Sequence, residues 1–116
     1  MDSLEFMNKA KALVCTVYND MMGLNPNSEA YGDEKLVAYL SDNGHEIWPL
    51  TDKDVYVVWL SKTLQNGKAM LSTTRPDGMY YEVTYNGDKK DFYVDAYKKV
   101  INRRFGLPKE DQQDEK

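Results

Sequence analysis

The chain has 116 residues, 41% of them hydrophobic and 29% charged, with a formal net charge of −4. That length supports one hydrophobic core and leaves no room for a second domain of ordinary size. The acidic balance gives no bulk electrostatic case for nucleic acid or for an anionic membrane surface. No apolar run reaches the length of a membrane span, and the N-terminal MDSLEFMNKAK lacks a signal-peptide layout, so a cytoplasmic protein is expected. The single Cys15 has no second cysteine to pair with and fits a reducing compartment.

Taken in chain order, residues 3 to about 22 have the apolar spacing of an amphipathic helix, with Met7, Ala10, Leu13, Val14, Val17 and Met21 on one stripe. Asp2 is placed to cap it and Gly23 to stop it. The segment LNPNSEAYG reads as loop. Asp33 then caps a short helix, EKLVAYLSD, ended by Asn43-Gly44, and HEIW follows as a possible extra strand within 33–50. A hairpin about Asn43-Gly44, with LVAYLS and HEIWPL as strands, is the alternative; the helix is preferred.

Residues 54–94 carry three turn signals between four runs rich in Val, Tyr, Trp, Thr and Leu, which reads as a four-stranded antiparallel meander. Asn66-Gly67 and Asn86-Gly87 suit two-residue type I′ turns, and Pro76-Asp77-Gly78 suits a turn with a left-handed glycine. These turns set Leu60 opposite Thr73, Thr73 opposite Tyr81, and Tyr81 opposite Phe92. One face then carries Val58, Leu60, Leu64, Ala69, Leu71, Met79, Tyr81, Val83, Tyr85, Phe92 and Val94, and it needs helices over it. On the other face Trp59, Thr74, Tyr80 and Tyr93 fall in one row.

Asp95 can cap a second helix, residues 95–105, with Tyr97, Val100, Ile101 and Phe105 as its stripe and Gly106 and Pro108 ending it. The sequence thus predicts an α+β fold: a four-stranded antiparallel meander with N-terminal and C-terminal helices packed on one face. A single domain spans 1–108, and 109–116 form a disordered charged tail.

Chemistry is sparse. His45 is the only histidine and sits beside a turn; with one His and one Cys, zinc is not expected, and no cofactor motif is present. The predicted register places Glu82 directly opposite Asp91, a pair that could serve acid–base catalysis but reads more simply as a solvated repulsion. The aromatic row Trp59, Thr74, Tyr80 and Tyr93 is therefore the candidate binding surface. Trp and Tyr anchor protein interfaces, and sheet-borne aromatics also stack single-stranded bases; the acidic chain favours a protein partner. The rival expectation is that residues 24–50 fold over this row.

The strings KTLQN, PDGMYYEVTYNGDKK and DAYKK resemble those of small proteins encoded by phages and prophages of Gram-positive bacteria. The likeness is close over residues 54–99 and loose over the first helix. In those proteins the first helix leads almost directly into the first long strand, which would make residues 24–50 an expansion. The resemblance implies a mobile-element setting, with counter-defence or regulation among the possible roles, and it brings no activity or catalytic residues.

Overall fold

Asp2 and Gly23 bound the first element. The Asp2 carboxylate accepts the Glu5 N–H at 2.8 Å, satisfying one of the free donors of a helix start. At the far end Gly23 takes φ +68°, and the N–H groups of Leu24 and Gly23 donate back to Asn19 and Asp20 at 2.7 and 3.2 Å. That paired pattern closes the last turn and swings Leu24 into the core. In the computed structural model, residues 1–24 and 48–108 are described. They form α1 (Ser3–Met21), a 3-10 turn (Asp52–Asp54), and strands β1 (Val55–Thr63), β2 (Asn66–Thr73), β3 (Met79–Asn86) and β4 (Asp91–Lys98). The strands make one antiparallel sheet in the order β1-β2-β3-β4, so the α+β meander holds.

The residues of α1 that reach zero exposure are Phe6, Ala10, Val14 and Tyr18, meeting Ala69, Leu71, Tyr81 and Val83 of the sheet. This stripe is rotated from the expected one: Ala10 and Val14 are shared, Leu13 and Val17 are only partly buried, and Met21 is exposed. The two rings at i and i+12 bury more apolar area than the Met residues they replace, so they set the rotation of the helix. Asn19 fastens the chain that follows. Its side-chain oxygen accepts the Leu50 N–H at 2.7 Å and its amide donates to the Leu50 carbonyl at 3.2 Å.

All three predicted registers are corrected. Thr63 faces Asn66, so Leu64-Gln65 is the first turn and Asn66-Gly67 lies within β2. Gly67 is used for closeness: a Cβ there would stand 3.1 Å from the Phe6 ring. The cost falls on Leu64, which is 95% exposed and has φ +49°. Between β2 and β3, Leu71 faces Tyr81 and Ser72 faces Tyr80, with Gly78 left-handed at φ +71° as expected. Between β3 and β4, Asn86 faces Asp91 across a four-residue loop. There the Asn86 side chain accepts the Asp88 and Lys89 N–H groups at 3.1 and 3.3 Å.

Each register error is an even number of residues, and side chains alternate with period two, so the faces survive. Apart from Leu64 and Thr74, which fall outside the strands, the exceptions lie at one bulge. Pairing jumps between Val57 and Trp59, which leaves Val58 as an extra residue. Val55 is buried and Val57 packs against the core, while Val58 is half-exposed, contrary to expectation.

The predicted helix 95–105 is absent. Residues 95–98 complete β4, with Ala96 facing Tyr81 and Lys98 facing Met79. Because β3 reaches Met79, its ladder requires a partner there, and Asp95–Lys98 supplies it. Residues 99–108 follow as an irregular arm, and α1 alone among the described elements covers the apolar face. The expected helix, strand or hairpin of 33–50 falls at residues 33–47 outside the described residues, as do His45 and the tail 109–116.

Beneath the β2–β3 connection the core is polar. Arg75 is 6% exposed, donates to the Trp48 carbonyl at 2.8 Å, and places its guanidinium 5.7 Å from the Tyr18 ring centre. Nearby, the fully buried Tyr81 hydroxyl finds no hydrogen-bond partner among the described residues. Burial, then the Asp77 carboxylate and Tyr18, push that hydroxyl well above the ordinary tyrosine value.

Two outcomes follow. Gly67→Val drives a branched side chain into the Phe6 ring and is expected to cost roughly 1–3 kcal/mol in urea denaturation, as overpacked cores do; unchanged stability would refute the close approach. Tyr81→Phe removes a buried, unpaired hydroxyl and should raise stability at neutral pH by about 1 kcal/mol. A raised folded pKa stabilises below the unfolded value and loses that stabilisation as pH climbs through and beyond it. The parent should therefore weaken above pH of about 10. The Phe variant should show a flatter profile in melts recorded across that range.

Candidate functional site

The face of the sheet away from α1 is built by the alternate residues of each strand, and the observed register arranges them in three rows. Tyr56, Ser72, Tyr80 and Tyr97 make the first, Trp59, Met70, Glu82 and Asp95 the second, and Ser61, Lys68, Thr84 and Tyr93 the third. The sequence-predicted set is therefore dispersed. Trp59, Tyr80 and Tyr93 share the face but sit in different rows, and Trp59 and Tyr93 stand on opposite edge strands. Thr74 lies past the end of β2, where its N–H donates to the Asp54 carbonyl at 2.9 Å.

Two aromatics were missed. Tyr56 was assigned to neither face, and the bulge at Val58, which inverts the start of β1, brings it onto this one. Tyr97 was assigned to a helix stripe. Together with Ser72 and Tyr80 they form the most aromatic row of the face. The alternation of Phe92, Val94 and Ala96 with Tyr93, Asp95 and Tyr97 was the signal that the strand continues. Tyr56, Trp59, Tyr93 and Tyr97 are 50%, 43%, 52% and 50% exposed, and Tyr80 is partly exposed.

Polar groups surround these rings. The Ser72 hydroxyl donates to the Met79 carbonyl at 2.9 Å. The Lys99 ammonium lies 5.6 Å from the Tyr80 ring centre, within reach of a cation–π attraction. Glu82 faces Asp95, not Asp91, and its carboxylate is 3.6 Å from the Lys68 ammonium. Asp91 sits beyond, opposite Asn86, so the proposed acid–base couple of Glu82 and Asp91 is not assembled. Toward the turn ends of the strands the same face opens into a shallow pocket of about 320 Å³, bordered by Ser61, Lys68, Thr84 and Asp88.

Among the described residues no three His, Cys, Asp or Glu side chains gather as metal ligands, and no helix is long and apolar enough to cross a membrane. Cys15 is half-buried on α1. Burial, with the carboxylates of Asp52 and Asp54 nearby, raises its thiol above the usual range, which opposes the reactive thiolate.

The surface thus offers flat, amphipathic contact: broad rings with polar tips, a buffered carboxylate and one cation set beside a ring. No curated protein and no solved structure matches the chain. A family model does match, over residues 7–106, from the second turn of α1 through the sheet into the arm. The chain belongs to the family of unknown function DUF6275.

Proposed function

We propose that this chain is a non-catalytic accessory protein of a phage or other mobile element, acting in the host cytoplasm by binding a host or phage protein through the face of its sheet away from α1. The observation that carries this reading is the set of five partly open aromatic rings, Tyr56, Trp59, Tyr80, Tyr93 and Tyr97, on one face. Monomeric proteins seldom leave such a patch without a use, and Trp and Tyr are the usual anchors of protein interfaces. Counter-defence and regulation of replication or transcription are the roles that a mobile-element setting suggests.

Single-stranded nucleic acid is the second reading, favoured by one observation, the Lys99 cation seated against the Tyr80 ring. Bases stack on such rings, and a neighbouring cation meets the phosphate.

The two readings part in one experiment. The tagged chain is used to capture partners from host lysate, with and without nuclease and over a salt series, beside Trp59→Ala and Tyr97→Ala. Both substitutions should leave the melting temperature nearly unchanged and weaken capture by about 2 kcal/mol or more, as hot-spot aromatics do. A protein partner survives nuclease and depends weakly on salt; a nucleic acid is lost with nuclease and falls steeply with salt. Undiminished capture by both variants would rule out this face.

A further inference from the structure

The arm that follows β4 is the most apolar exposed stretch of the described chain. Val100 is 94% exposed, Ile101 68% and Phe105 84%, and no described helix or strand covers these three. It leaves from an edge strand whose outer side is unpaired among the described residues. A second feature lies at the opposite end of that strand. An apolar groove of about 280 Å³ runs between α1 and the start of β4, lined by Lys9, Ala12, Leu13 and Phe92. Within one chain, groove and arm are a strand length apart. From Phe92 to Val100 the extended backbone covers roughly 25 Å.

An antiparallel pair of identical strands brings such opposite ends together. We propose that two copies of this chain associate through their β4 edges, each arm delivering its apolar residues to the α1–β4 groove of the other copy. With the two-fold axis at Ala96, Val100 of one copy stands opposite Phe92 of the second, both on the helix-covered face. Lys99 then faces Tyr93 of the second copy on the other side of the sheet, and Tyr97 faces Asp95. A small residue occupies the axis, and the Asp95–Asp95 repulsion of an axis one residue earlier is avoided. The backbone is already extended as far as this register needs, since the Lys99 N–H donates to the Gly78 carbonyl at 2.8 Å.

Size supports a second copy as the occupant. The edge strand, the arm and the groove residues together approach the roughly 20 residues that each side of a standard interface presents. This inference does not depend on the function proposed for the aromatic face.

The test is the solution mass of the full chain by sedimentation equilibrium. The parent should have twice the chain mass, and Val100→Asp, at a site with no packing to lose, should halve it with an unchanged circular dichroism spectrum. A second variant fixes the register. Lys99→Cys with Tyr93→Cys, in a Cys15→Ser background, should oxidise to a covalent dimer, because opposed residues of an antiparallel pair lie within disulfide reach. A monomeric parent, a dimer that survives Val100→Asp, or a disulfide that forms within one chain, as it would if the arm folded back on its own strand, would each overturn the proposal. So would failure of the parent-like dimer to cross-link.

Discussion

The ring of Phe6 rests on the bare backbone of Gly67, and most of the structure can be traced from that approach. It sets the height of α1 above the sheet and the rotation at which the helix lies. Phe6 stacks near Phe92 with ring centres 6.3 Å apart, and Phe92 meets Tyr85 at 4.6 Å, so three aromatic rings close this end of the core. Once Gly67 is committed to a strand it is unavailable to a turn. The reversal then passes to Leu64, and the register of the first hairpin follows. The other end of the helix is held differently, by Tyr18 under the Arg75 guanidinium and by the two hydrogen bonds exchanged between Asn19 and Leu50. Apolar contact at one end and polar contact at the other leave α1 no second way to sit.

Among the described elements α1 alone covers one face, and this has an effect on the opposite face. Its residues need only solvate or bind, and the chain uses them for tyrosine, tryptophan, hydroxyl and paired charge. Glu82 illustrates the balance. It stands across from Asp95, a like charge, and is stabilised by Lys68 from the neighbouring strand. Such a face is soluble because each ring has a polar tip or neighbour, and adhesive because each ring presents a broad apolar surface.

Much of this was legible from residue order. The strands were readable because turn residues separate β-branched and aromatic runs, and the two faces were readable because alternation survives any even slip. Register was not, because Asn-Gly is a turn signal only when the glycine has no other duty, and a ring on another element decides that. Val58 shows a related limit: in VYVVWL every position is apolar, so alternation is silent and the bulge leaves no mark. The end of β4 was lost to a real ambiguity. Tyr97, Val100, Ile101 and Phe105 satisfy a helical period, while Phe92, Val94 and Ala96 satisfy a strand period, and the length of β3 decides between them. The aromatic site was found in kind but not in arrangement for these same reasons, since Tyr56 depended on the bulge and Tyr97 on the end of β4.

The bulge in β1 also makes the two edges of the sheet unlike. β4 pairs with β3 through eight successive residues without interruption, so its free side presents a regular row of donors and acceptors. β1 is broken at Val58, where extra twist and a skipped partner spoil the row for any incoming strand. A sheet with two regular edges can add copies indefinitely and grow into a filament. With one receptive edge and one spoiled edge, addition stops after a single step, and the chain can keep an exposed strand without becoming a seed for fibres.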